Sequence, residues 1–460
     1  MMVDKKQLGV IFSILFIGIL ARCINITHSF WLDEAAQALE SSRPLSQQFN
    51  IIPDFQPPLY HLIVHFFAKG NHHEWWLRLV SVIPGILSIW LTFVIAKKWF
   101  SFETASLAAI LLATSQFHTF YSQELRPYSL ATLCALVVVV GYQHIKAHQR
   151  GGWWWFIIGS IAGIYSTYVF PFFLIAMIGL MIGEKISLKQ LAGATLLIAA
   201  SFVPWVPTFT QQLQVGTSLA QTSTVWSQMV SPPMLKMLPL TAAKFMFGRI
   251  PLKSDIRQII YFGIVGFLMV IACFRGLSKK SLPIIIWLCV PIMLAWIVSI
   301  KIPILDPKRV LFCLPALYIL IAQGIKKDTY SIVSLALIFS VQMYGLNLYA
   351  TNPDIDREQW RQAVTTIEQQ TVPNAAALFV FPESFAPWRW YQTNKVPSVA
   401  VSASNFSTES VSPYTTIYYF DYLTDMTDPE RTVLTTLNQS YQETSFLQYP
   451  GVGKIRVLTK

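Results

Sequence analysis

Leu8 to Ala21 reads LGVIFSILFIGILA, a run without a charge, with Lys5 and Lys6 standing just before it. Signal peptides and first membrane anchors share that start. No small-residue cleavage pattern follows, and many more apolar runs do, so the stretch is read as an uncleaved first span. Further segments long enough to cross a ~30 Å hydrocarbon core fall at about 78–97, 104–121, 128–145, 153–170, 171–184, 190–207, 257–274, 282–300, 309–325 and 330–349. The expectation is a polytopic α-helical membrane protein of about eleven spans.

Composition agrees. Only 12% of the 460 residues are charged and 54% are hydrophobic, against roughly 25% charge in a soluble domain. A soluble chain of this length could not cover its core with so little polar surface. The net charge of +11 splits into +14 before Thr351 and −3 after it. The positive charge sits between apolar runs, not in an Arg-rich patch, which argues for membrane orientation and anionic ligands over nucleic acid. The five cysteines form no C-x-x-C pair and lie in or beside apolar runs, so neither a disulfide framework nor a thiolate metal site is expected.

Lys5/Lys6, Lys97/Lys98, Lys146/Arg150, Lys185/Lys189, Arg275/Lys279/Lys280 and Lys326/Lys327 share one side in this count. The positive-inside rule makes that side cytoplasmic, with Lys301, Lys308 and Arg309 opposite. The long loops at about 27–77 and 208–256, and the tail at 351–460, then lie outside. Two regions are expected: 1–350 spanning the membrane, and a soluble tail. In the tail, Asp356 to Gln370 has helical spacing with Trp360, Val364 and Ile367 on one face, and Ala376 to Phe381 and Thr415 to Phe420 read as buried strands. Asp428-Pro429-Glu430 reads as a helix start, and Ser398 to Pro413 as a loop. This alternation suggests a small α/β domain.

Three stretches carry the chemistry. The first, Ser29-Phe30-Trp31-Leu32-Asp33-Glu34-Ala35, places an acidic pair soon after the first span. Charges in hydrocarbon cost roughly 2.5–3.5 kcal/mol each, so the pair belongs at the external interface. Adjacent helical residues point about 100° apart, so only one of the two faces a given pocket. The second, Asp54-Phe55-Gln56-Pro57-Pro58-Leu59-Tyr60-His61, joins a rigid turn to a helix start. Tyr60 or His61 suits an orienting role. His61 and His65 lack the third ligand of an H-E-x-x-H pattern, so no cofactor is assigned and a divalent metal stays open without a pattern to support it. The third, Tyr121-Ser122-Gln123-Glu124-Leu125-Arg126-Pro127-Tyr128, offers in Arg126 a bidentate donor suited to phosphate. Lys308 and Arg309 are further cations for such a group, and Tyr168 ends an outward span.

Leu32-Asp33-Glu34, Gln56-Pro57-Pro58-Leu59-Tyr60, Tyr121 through Tyr128 and Lys308-Arg309, in that order, resemble the membrane glycosyltransferases of the GT-C superfamily. Among these, the chain is similar to the family 39-like branch of protein O-mannosyltransferases and aminoarabinose transferases. Two positions depart from that pattern. Gln56 stands where relatives often carry Lys or His, and Ser166-Thr167-Tyr168 where Thr-His-Tyr is common. The resemblance implies a GT-C fold with interfacial helices in the first external loop. It also implies transfer of a sugar from a polyprenyl-phosphate donor to a glycan, lipid or protein acceptor outside the plasma (inner) membrane, with inversion. Asp33, matching the family's first-loop carboxylate, would be the base, with Glu34 its aid or alternative. Arg126, Lys308 and Arg309 would bind the donor phosphate, while Gln56, Tyr60, His61, Tyr121, Glu124, Tyr128 and Tyr168 orient substrate. The competing class is a transporter or flippase for a lipid-linked or small solute. Transporters usually place polar sites at the bilayer midplane, often between repeated halves, a pattern absent here.

Overall fold

A computed structural model describes residues 5–222, 234–251 and 255–460. They fall into two compact units. One is built from the chain up to Ile26 and from Pro44–Thr351, the other from Thr27–Arg43 and Asn352–Lys460. Thr27–Arg43, read from the sequence as the start of a membrane-domain loop, therefore belongs with the tail.

The helices in chain order begin with α1 (Lys5–Cys23), α2 (Leu32–Ser41), α3 (Leu59–Ala68), α4 (Glu74–Trp99), α5 (Phe102–Thr114) and α6 (Gln116–Gln123). Next come α7 (Tyr128–Lys146), α8 (Gly152–Ile164), α9 (Phe170–Gly183), α10 (Leu188–Phe202) and α11 (Val206–Thr222). Then follow α12 (Met234–Phe247), α13 (Ile256–Arg275), α14 (Leu282–Val298), α15 (Leu314–Gly324) and α16 (Thr329–Thr351). Seven runs among the described residues are long and apolar enough to cross a membrane: α1, α4, α7, α10 continued to Gly216, α13, α14 with its leading turn, and α16. Among the described residues the shorter apolar helices are α3, α5, α8, α9 and α15 with its leading turn. The protein is a multi-pass membrane protein. Of the loop read at 208–256, residues 223–233 and 252–254 lie outside the described residues, and most of the rest is helix in α11 and α12.

The stretch at 104–121 is a broken helix because Ser115 interrupts it. Ser115 takes an extended backbone, and its hydroxyl accepts the His118 N–H at 3.3 Å, capping α6. The break brings α6 against α4 at Gly85, where a Cβ would sit 2.4 Å from Ser122 Oγ. Only glycine permits that approach. Arg22, fully buried, donates to the carbonyls of Gly18 (2.9 Å) and Ala113 (3.3 Å). Gln123 donates to the carbonyls of Arg22 (2.8 Å) and Ile24 (2.6 Å), satisfying acceptors that the end of α1 would leave open. Tyr349 donates to Gln123 in turn, tying α16 to the same point.

The second unit is a five-stranded sheet in the order β2-β1-β3-β5-β4. Its strands are β1 (Ala375–Val380), β2 (Ser398–Val401), β3 (Thr416–Phe420), β4 (Gln442–Tyr449) and β5 (Gly453–Thr459). β1 pairs in parallel with β2 and β3, and the pairs β3–β5 and β4–β5 are antiparallel. The two strands read from the sequence are β1 and β3, buried along their whole length. Ser398 to Pro413, expected as a loop, contributes β2, because Ser-Val-Ala-Val pairs with the open side of β1. One face of the sheet is covered by α17 (Trp360–Gln370) through Trp360, Val364 and Ile367, and by α18 (Ala386–Tyr391) through Trp388. A short α19 (Thr424–Thr427) precedes Asp428. That side chain accepts the N–H groups of Thr432 (2.8 Å) and Val433 (2.9 Å), so the helix signal starts α20 (Thr432–Leu437) a turn later than read.

α2 docks on this unit. Phe30 is fully buried beside Trp390, and its N–H donates to Tyr391 Oη at 2.7 Å. His28 pairs with Asp356, Ser29 donates to the Glu358 carbonyl, and Arg361 donates to the Thr27 carbonyl at 2.8 Å.

Candidate active site

In the helical unit the site grows from the turn before α3. Ile52–Asp54 makes a single 3-10 turn, Phe55 takes a left-handed backbone (φ 49°), and Pro58 caps α3. Proline fixes its own φ and holds the residue before it extended, so the turn is rigid. It is also tied down from outside. Gln212 of α11 donates to the carbonyls of Ile51 (2.8 Å) and Gln56 (3.3 Å), and is itself held by Tyr168. Trp205 donates to Tyr168 at 2.8 Å. Tyr168 thus braces the turn through Gln212, a residue no sequence pattern marked.

This rigid turn presents Asp54. Arg126 Nη1 donates to its Oδ1 at 2.7 Å, and His61 Nε2 donates to its Oδ2 at 2.6 Å. Burial alone would raise the Asp54 carboxyl. The Arg126 charge and then the His61 hydrogen bond outweigh it, holding the group at about 2. Arg126, expected at a phosphate, is brought to Asp54. Tyr60 donates to Ser81 at 2.6 Å, and Ser81 donates to the Glu124 carbonyl at 2.6 Å, locking α3, α4 and the 124–126 hairpin together. Gln56 Oε1 is buried with no hydrogen-bond partner among the described residues.

A cationic cluster adjoins the 124–126 hairpin in the same unit. Lys308 Nζ lies 5.9 Å from the Tyr128 ring and 3.9 Å from Asp306 Oδ2, and feels the charge of Glu124. Tyr128 packs edge-on against Tyr121 at 5.4 Å. Lys244 and Arg249 join this set. Arg249 stacks over Phe120 at 3.7 Å and acts on Tyr121, and Asp306 acts on Lys244. Burial, then Arg249, holds the Lys244 ammonium below its usual value. Arg309 faces backbone, donating to the carbonyls of Pro303 (3.4 Å) and Ile304 (3.3 Å). Lys244 and Arg249 were missed because they fall in a stretch read as loop.

In the second unit, α2 opens with the acidic pair. Glu34 is fully buried, its Oε2 3.9 Å from Arg357 Nε, whereas Asp33 is partly exposed. Glu358 stands at the start of α2. It accepts from Trp360 Nε1 (2.7 Å), Tyr422 Oη (3.0 Å) and the Leu32 N–H. Burial pushes its carboxyl up to about 7; these donors oppose the rise and the charge of Asp33 adds to it.

Two solved structures match along 98% of this chain. ArnT from Cupriavidus metallidurans, bound to undecaprenyl phosphate, is 12% identical, with a TM-score of 0.58 and 97% of its own length covered. The archaeal oligosaccharyltransferase AglB from Archaeoglobus fulgidus, in complex with an inhibitory peptide and a dolichol-phosphate, is 11% identical, with a TM-score of 0.54 and 74% of its length covered. The chain has the GT-C fold. Residues 55–208 of this GT-C chain match the family model described as dolichyl-phosphate-mannose-protein mannosyltransferase. That window holds Gln56, Tyr60, His61, Tyr121, Glu124, Arg126, Tyr128 and Tyr168, and leaves Asp33, Glu34, Lys308 and Arg309 outside it. A search of curated protein sequences finds no match.

Proposed function

We propose that this GT-C chain is an inverting glycosyltransferase that moves a sugar from a polyprenyl-phosphate donor to an acceptor at the external face of the membrane. The observation that carries the reading is the fold match over 98% of the chain to ArnT and AglB, whose structures hold undecaprenyl phosphate and a dolichol-phosphate. The lysine-bearing helix ends at 97–98, 146, 185, 279–280 and 326–327 are assigned to the cytoplasm. The N-terminus then lies inside, and the 352–460 domain outside, of the plasma (inner) membrane.

Asp33 takes the proton of the acceptor nucleophile as that atom attacks the anomeric carbon. The carbon–oxygen bond to phosphate breaks on the opposite face, and the lipid phosphate leaves with the bonding pair. Asp33 is preferred over Glu34 because Glu34 is sealed in against Arg357 while Asp33 keeps access to solvent. Lys308 meets the departing phosphate, with Lys244 and Arg249 adding positive charge. Arg126 is reassigned: committed to Asp54, it fixes the turn that carries Gln56, Tyr60 and His61. Arg309 braces its own loop.

The test uses the purified full chain in lipid nanodiscs with a radiolabelled undecaprenyl-phosphate sugar series and an envelope extract as acceptor. Transfer should occur with one donor, and Asp33→Asn should reduce kcat by ~10²–10⁴ while lipid-phosphate binding persists. Full activity in a folded Asp33→Asn protein removes the base assignment. Absence of both transfer and lipid-phosphate binding removes the enzyme reading.

A further inference from the structure

At the lysine-bearing ends of α4, α7, α9 and α14 the helical unit opens into a hollow of about 350 Å³. Lys98, Lys146, Lys279 and Lys280 line it, with Glu184 and Trp99. They come from four separate stretches of chain. Among the described residues Glu184 is the one acid of the lining, and both its oxygens are engaged: Lys146 Nζ at 2.6 Å and Tyr142 Oη at 2.7 Å. Lys98 reaches Gln149 Oε1, a neutral acceptor, at 3.1 Å. The described lining therefore carries three positive charges in excess. Trp99 gives the hollow an aromatic wall, and Tyr142, fully buried, packs 6.4 Å behind it. Leu282, on the rim, is 53% exposed.

Lysines at helix ends ordinarily snorkel outward and diverge. These four enclose one volume in the size range of ligand sites. The hollow is also separate from the site above. Ser81, which holds Tyr60, and Lys98 both lie on α4, 17 residues apart, about 26 Å along a helix.

We propose that this hollow is a binding site for the phosphate headgroup of an anionic membrane phospholipid. The excess ammonium charge takes the phosphate, Trp99 sits at the headgroup boundary where amphipathic rings are favoured, and Leu282 meets the acyl chain. A soluble phosphate offers the same charge. The apolar rim at the end of spanning helices selects the lipid as the source, in the manner of basic pockets between membrane helices.

The experiment takes the full chain in detergent and measures retained lipid by native mass spectrometry. Phosphatidylglycerol or phosphatidylcholine is titrated, with inorganic phosphate and glycerol 3-phosphate as competitors. Phosphatidylglycerol should bind and phosphatidylcholine should not compete. Lys279→Gln with Lys280→Gln should weaken retention about fivefold for each lysine removed, with the lipid-free unfolding temperature unchanged. Lys326→Gln with Lys327→Gln removes the same charge from a helix end outside the hollow and should leave retention intact. Equal weakening by both pairs, unchanged binding in a Lys98/Lys279/Lys280→Gln triple variant, or equal retention of phosphatidylcholine would overturn the proposal. Displacement by millimolar inorganic phosphate would overturn the lipid as its source.

Discussion

Asp54 and Glu358 are both partly buried carboxylates that accept two side-chain donors, and their charge states diverge. Asp54 lies between a guanidinium and an imidazole and stays ionised down to about 2. Glu358 lies among an indole, a phenol and a peptide N–H, with the negative Asp33 nearby, and holds its proton up to about 7. The number of donors does not separate them. A full positive charge does, because it offsets the desolvation that neutral donors only reduce.

The sharpest way to break this contrast is to remove the cation. Arg126→Ala leaves Asp54 buried without its guanidinium and should lower unfolding free energy by about 3–5 kcal/mol, read as a depressed melting temperature in detergent. Arg126→Met combined with Asp54→Asn should cost less than Arg126→Ala alone. Equal losses would mean that the pair is not coupled.

The next test uses opposite pH slopes. Glu358, raised from its ordinary 4.5 to about 7, contributes stability that is fully present below 4.5 and lost as pH rises through 7. The loss is roughly 3 kcal/mol at most. Protection against hydrogen exchange, relative to the intrinsic rate at each pH, should fall over that window for peptides covering 30–42 and 355–380 in the native chain and not in Glu358→Gln. Asp54, lowered from 3.8 to about 2, contributes stability present above 3.8 and lost as pH falls through 2, which sets an acid limit on the helical unit. Smallest is His61→Gln, which exchanges an imidazole donor for an amide. It should cost about 1 kcal/mol and shift the acid limit upward, measured by acid titration of helical circular dichroism.

The architecture was largely legible because its signals are local. Uncharged runs of span length became helices, and Trp360, Val364 and Ile367 face the sheet as their spacing requires. The site was legible as residue types more than as partnerships. Asp54 stands alone in a Pro-rich turn, and its guanidinium arrives from 72 positions away, a pairing no periodicity encodes. Ser115 shows the same on a smaller scale: one polar residue in an apolar run looks tolerable, yet it ends one helix and caps another. Arg126 and Arg309 carry charge suited to phosphate, and the fold sets acceptors beside each through one nitrogen, the Asp54 carboxylate for Arg126 and two backbone carbonyls for Arg309.

Because Thr27–Arg43 and Asn352–Lys460 make one unit, its two pieces leave the ribosome far apart in time. Roughly 300 residues separate them, and synthesis at ~5–20 residues per second puts on the order of 15–60 s between them. Through that interval Phe30 and Leu32 have no aromatic bed to lie in and α2 has no Glu358 at its start. The acidic helix is made early and seated last, so a nascent or C-terminally clipped chain would hold its helices in the bilayer yet leave Asp33 unanchored.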